Sequence, residues 1–106
     1  MQQLQEIFER LVAAKIRLIP IPQIERHWVF ERDGFISLVE RTPDNGFGGI
    51  GSAGLWTEKG MAVLVLRGDR YYFVAKEFQQ EASAEQVALL RKFASDLAAA
   101  LKPDGR

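Results

Sequence analysis

The 106-residue chain contains no cysteine and only one histidine. The absence of cysteine excludes disulfides, thiol catalysis and the cysteine-rich class of zinc site. A single histidine excludes a metal site built from several imidazoles. We therefore predict no metal site and no cofactor.

An excess of charge of either sign is also lacking. Fourteen lysines and arginines balance fourteen aspartates and glutamates, so the formal net charge is zero. A nucleic-acid-binding domain needs a clustered basic patch, and an anionic membrane attracts basic segments. The sequence therefore predicts neither nucleic acid nor a membrane as a partner.

Long apolar runs are missing as well. The longest one covers only 61–66, whereas a helix needs about 20 apolar residues to cross a bilayer. The first residues lack the basic and apolar regions of a signal peptide. These features predict a soluble, cytoplasmic protein, and the length predicts a single domain over 1–106.

Two segments have the periodicity of amphipathic helices. In 2–17, apolar residues recur with the spacing of one face of a helix. Pro20 and Pro22 end this helix and force an extended crossover after it. The second helix is predicted over 84–101. Ser83 and Gln86 have the spacing of a capping box at its start.

The remainder predicts antiparallel strands joined by short turns. Asp33-Gly34 is a two-residue hairpin signal, and its register places His27 opposite Glu40. A turn of three residues, ending at Gly60, is expected before the fourth strand. The predicted strands are 27–32, 35–41, 52–57, 61–67 and 70–78. The predicted fold is therefore α+β in two layers, with both helices packed on one face of a five-stranded antiparallel sheet.

Both faces of that sheet are predicted to be apolar. The central strand, 62–66, does not alternate between apolar and polar residues, although a sheet with one solvated face usually does. The helices cover one face, and a second copy of the chain is the simplest cover for the other, because most oligomers are symmetric homodimers. The predicted interface residues are Leu55, Val63, Val65 and Tyr72.

The segment 44–54 contains five of the nine glycines. Each glycine in a regular element costs roughly 0.5–1 kcal/mol relative to alanine. Three interpretations remain open: a flexible connection or bulged strand, close backbone contact with a ligand or partner, or a phosphate site. The last lacks the helix that should follow a phosphate-binding loop. The predicted contact residues are Asn45, Gly46, Phe47, Gly48, Gly49, Gly51, Ser52 and Trp56.

His27 and Glu40 are the weak catalytic candidates. Such a pair can act in general acid–base catalysis, or it can be an exposed cross-strand ion pair. No nucleophile is evident beside it, so the sequence favours a structural role and a protein that is not an enzyme.

Two functional hypotheses follow. The first is a non-enzymatic homodimeric module that binds a protein partner through an apolar sheet face and segment 44–54. The alternative is a small-molecule-binding domain or small enzyme. Its pocket would lie between sheet and helices, with segment 44–54 as a lid and a small apolar compound as ligand.

Overall fold

The computed structural model describes residues 2–22 and 24–102. Within these ranges the chain forms two helices and seven strands. In chain order they are α1 (Gln2–Ala13), β1 (Arg17–Ile19), β2 (His27–Arg32), β3 (Phe35–Arg41), β4 (Phe47–Thr57), β5 (Gly60–Arg67), β6 (Arg70–Ala75), β7 (Phe78–Glu81) and α2 (Ala84–Leu101).

The strands form one antiparallel sheet in which each strand pairs with its neighbours in sequence. The prediction of two helices on an antiparallel sheet is confirmed, but the count of five strands is wrong. One additional strand is β1, which pairs with β2 where only an extended crossover was expected. The other arises because the predicted strand 70–78 turns at Glu77, whose φ of 58° a strand cannot accommodate, and continues as β7.

Helix α1 ends four residues earlier than predicted. Lys15 adopts a left-handed φ of 62°, and the Ile16 N–H donates to the Leu11 carbonyl at 2.9 Å. This is a helix C-terminal cap, and it frees the following residues to enter β1. The predicted capping box of α2 is present, with Ser83 and Gln86 bonding reciprocally.

The first hairpin has the predicted register, with His27 opposite Glu40. Asp33 and Gly34 both have positive φ, as a tight hairpin turn that matches the strand twist requires. The hairpin between β4 and β5 differs from its prediction, because Thr57 pairs with Gly60 and the turn has two residues rather than three.

That one-residue difference reverses the two faces of β4. Leu55 lies opposite Ala62 and Trp56 lies opposite Met61. Side chains alternate along a strand, so a slip of one residue exchanges the faces. Leu55 therefore packs towards the helices and is not on the predicted interface, whereas Trp56 is on the face that the helices leave uncovered.

Both helices cover the same face of the sheet. The largest fully buried side chains between the two layers include Phe30, Phe73, Phe93 and Leu97. Each contributes roughly 1.5–3 kcal/mol through burial.

Two arginines join separate elements: Arg32 links the sheet to the helices, and Arg10 links the two helices to each other. Arg32 of β2 donates to the Ala14 carbonyl at 3.0 Å and to the Asp96 carboxylate of α2 at 2.9 Å. Arg10 of α1 donates to the carbonyls of Ala100 and Lys102, at 3.0 and 2.8 Å. These carbonyls at the end of α2 have no partner inside the helix, so Arg10 satisfies them and joins the two helices.

Candidate functional site

The sheet face opposite the helices carries a continuous apolar patch on β4, β5 and β6. Residues that pair directly across antiparallel strands lie on the same face. The pairs Trp56–Met61, Val63–Val74 and Val65–Tyr72 therefore share this face. We call these six residues the open face. Trp56 is 44% exposed and Val63 is 36% exposed, and the other four are half-buried.

The apolar surface continues towards β2 and β3 on the same side of the sheet. Val29 and Ile36 are buried there, outside the cluster that the helices cover. Gly54 pairs with Ile36, and a Cβ on Gly54 would lie 2.9 Å from Met61 Cγ. The absence of a side chain at Gly54 therefore lets Met61 pack across β4.

Paired charges border this surface at one end of the sheet. Arg67 and Arg70 face each other at the β5–β6 turn. Arg67 donates to Gln79 at 2.7 Å, and Arg70 lies 3.6 Å from the Glu81 carboxylate. Strand β7 thus supplies a polar partner for each of the two facing arginines.

A second charged pair borders the surface at β1 and β2. Arg17 lies 2.8 Å from Glu31. Burial raises the pKa of Glu31, but the Gly34 N–H and Arg17 outweigh this effect and hold the pKa below its usual value. The side of the sheet that faces away from the helices therefore has an apolar centre and polar ends, which is the pattern of a protein interface.

The glycine-rich segment forms a closed turn followed by a bulged strand. The Thr42 N–H donates to the Gly46 carbonyl at 3.1 Å, and the Gly46 N–H donates to Thr42 Oγ1 at 2.8 Å. The Thr42 hydroxyl also donates to Asp44, which lowers the pKa of that carboxyl. Asn45 takes a left-handed φ of 63° in this turn.

Strand β4 begins at Phe47, five residues before the predicted start at Ser52. Its register against β3 shifts on both sides of Val39, which marks bulges in the pairing. The ladder with β5 spans only the residues from Gly54 to Thr57, so the glycine-rich half of β4 is paired on one side alone among the described residues.

The structure does not gather the predicted contact residues into one site. Phe47 packs inwards, with ring centroids 5.6 Å from Trp28 and 5.9 Å from Phe30. Glu40 folds over Gly48 and accepts a hydrogen bond from the Gly49 N–H at 3.4 Å. The residues that remain exposed are Asn45, Gly49, Gly51, Ser52 and Trp56.

His27 and Glu40 are opposite in register, but their charged groups are not joined. The Glu40 carboxylate takes the Gly49 N–H, and no ion pair links it to His27 in the part of the chain that is described. His27 instead borders a cleft that Glu40 does not line. The acid–base pair of the catalytic hypothesis is therefore not assembled.

That cleft is a feature which the sequence reasoning missed. It has a volume of about 460 Å³ and lies between β1, the described residues of the connection that follows it (20–22 and 24–26) and the start of β2. We call it the edge cleft. Its apolar wall contains Leu18, Ile19, Pro20, Ile21, Ile24 and Val29. The alternation of isoleucine and proline after α1 was its only sequence signal.

A second concavity, of about 400 Å³, lies between α2 and the ends of β6 and β7, near Tyr71 and Arg91. Among the residues that line these two concavities, none belongs to segment 44–54. The alternative hypothesis predicted this segment as the lid of a pocket, and the structure places it elsewhere.

In the ranges 2–22 and 24–102, no group of three or more histidine or acidic side chains is placed to hold a metal ion. None of the described helices combines the length and apolar character needed to cross a bilayer.

Comparison with protein-family models, curated proteins and solved structures finds no match to this chain.

Proposed function

We propose that this chain is a non-enzymatic, cytoplasmic interaction module that forms a homodimer through the open face. The observation that carries the proposal is the exposure of Trp56 and Val63 at the centre of an apolar sheet surface. Both helices pack on the opposite side, so the helices of the same chain do not cover this surface.

A second copy fits this surface because a twofold interface brings identical surfaces together. In such an interface, charges of the same sign on the two copies must not face each other. The centre of the open face is uncharged. Of the border arginines, Arg17 and Arg70 already have acidic partners, Glu31 and Glu81, and Arg67 donates to an amide. Two sheets can then stack about 10 Å apart with their apolar side chains interdigitated.

The glycine-rich segment can extend the same contact. Gly51 and Ser52 are exposed and lie on β4, the strand that carries Trp56. We propose that this exposed backbone contributes to binding a partner at the margin of the dimer contact.

Val63→Glu tests the proposal directly. A carboxylate at this position would be buried in the dimer without a partner, which costs several kcal/mol. We therefore expect the dissociation constant of the dimer to rise about 100-fold. Sedimentation equilibrium of the wild type and the variant measures the two dissociation constants.

Val12→Glu is the matched control. Val12 is 75% exposed on α1, where it forms a second apolar stripe with Leu4 and Phe8. The proposal predicts no change in association for this variant. Dissociation caused by Val12→Glu, with Val63→Glu still dimeric, would assign the interface to α1 and refute the role of the open face.

A further inference from the structure

The edge cleft combines an apolar wall with an arginine at its rim, at the β1–β2 edge of the sheet. Its volume of about 460 Å³ lies within the range of small-molecule sites, roughly 300–1,000 Å³. Ile19, Ile21 and Ile24 contribute branched aliphatic side chains from β1 and the connection that follows it. This wall suits a short hydrocarbon chain or ring.

Arg41 supplies the charge in a fixed orientation. Its guanidinium carbon lies 4.1 Å from the centroid of the Trp28 ring, within the range of a cation–π contact. The Trp28 indole is itself anchored, because its Nε1–H donates to the Gly46 carbonyl at 2.9 Å. Both side chains line the cleft.

The guanidinium of Arg41 has donors available for a ligand. Within the described ranges, Arg41 forms no ion pair, unlike Arg17, Arg32 and Arg70. Its planar fork of N–H groups matches a carboxylate, which can accept two parallel hydrogen bonds. An arginine stacked on an aromatic ring has also lost part of its conformational freedom before the ligand arrives, which favours binding.

We infer that the edge cleft binds a small apolar monocarboxylate, with the hydrocarbon against the isoleucines and the carboxylate on Arg41. His27 adds a second basic side chain at the rim. Glu25 is the one acidic residue among the described residues that line the cleft. Glu25 and Arg41 are both exposed to solvent, which screens both charges, so the carboxylate contact depends on the directed N–H groups of Arg41.

Octanoate is the probe, and 1-octanol is its uncharged counterpart of equal chain length. A titration below the micelle concentration, followed by NMR of the indole N–H groups, measures the binding of each compound. Trp56→Phe identifies which of the two indole resonances belongs to Trp28. We expect octanoate to shift the Trp28 resonance and to bind more tightly than 1-octanol. Absence of a Trp28 shift, or equal affinity for both compounds, would overturn the inference.

Arg41→Gln separates the carboxylate contact from apolar binding. The loss of a charge-assisted bidentate contact is expected to weaken octanoate about tenfold and to leave 1-octanol unchanged. Arg67→Gln, at the distant β5–β6 turn, is the matched control and should bind octanoate like the wild type. Equal weakening by both variants would show a non-specific charge effect and refute a site on Arg41.

Ile21→Glu tests the apolar wall. The substitution lies in the connection outside the strands, and it places a negative charge where the hydrocarbon should lie. We expect a loss of octanoate binding with an unchanged circular dichroism spectrum. Retention of octanoate binding by this folded variant would exclude the cleft as the site.

Discussion

Among the glycines of segment 44–54, Gly54 has the clearest packing role, because its neighbours leave no room for a side chain. It is buried in β4, between Ile36 on one neighbouring strand and Val63 on the other. A Cβ at this position would lie 2.9 Å from Met61 Cγ and closer still to the Ala62 carbonyl oxygen. The carbonyl belongs to the backbone of the central ladder, so it cannot move aside easily.

Gly54→Ala is therefore expected to lower the free energy of unfolding by about 1–3 kcal/mol, the typical cost of overpacking a close contact. Gly49→Ala is the control, because a Cβ there would meet no atom within 4 Å. It should leave stability unchanged or raise it by up to about 1 kcal/mol, since alanine restricts the unfolded chain. Urea unfolding at equal protein concentration measures both, and equal losses would contradict this explanation.

Individual residues also show where reasoning from the sequence failed. The placement of Val63, Val65 and Tyr72 on one face was correct, because the two-residue turn between β5 and β6 fixes their register. Leu55 was assigned to that face in error. The segment Glu58-Lys59-Gly60 is compatible with a turn of two or three residues, and a difference of one residue exchanges Leu55 and Trp56.

At the scale of the elements, the contact between Arg32 and Asp96 joins β2 to α2. The hydrogen bond from Arg32 is the largest of the effects that lower the pKa of Asp96. Burial alone would raise this pKa. Because the pKa is lower in the folded state, the ion pair stabilises the fold above the unfolded pKa of about 4. This contribution is lost as the pH falls through the lowered pKa of Asp96 in the folded state.

Asp96→Asn is expected to lower the free energy of unfolding by about 1 kcal/mol at neutral pH, a modest value because the pair is partly solvated. The difference in the free energy of unfolding between Asp96→Asn and the wild type should stay constant above pH 5 and shrink below pH 4. Asp69→Asn, at the exposed β5–β6 turn, serves as the control with no expected loss. A stability difference for Asp96→Asn that persists at low pH would show that the ion pair is not its source.

The elements themselves were predicted where local signals are strong. The capping box fixed the start of α2, and Asp33-Gly34 fixed the first hairpin. Strand β1 was missed because three residues before a proline carry little periodicity, and its strand conformation depends on pairing with β2. The early part of β4 was missed because its glycines have low strand propensity, and pairing with β3 overrides that propensity.

At the scale of the whole molecule, the two sheet faces differ in what covers them. The helices bury the side that carries Phe30 and Phe73, while Trp56 and Val63 on the other side remain exposed. The sequence predicted an apolar residue pattern on both faces from the central strand. It could not predict the edge cleft, because that cavity depends on how the connection after β1 folds back beside Trp28 and Arg41.

The mass of the wild-type protein in solution shows whether a second copy covers the open face. Light scattering on a sizing column, over a series of loading concentrations, measures it without any substitution. A dimer through the open face predicts twice the 12.0 kDa of one chain at micromolar concentration, falling towards the single-chain mass only on strong dilution. A mass of one chain at every concentration would contradict the proposal that a second copy covers the open face.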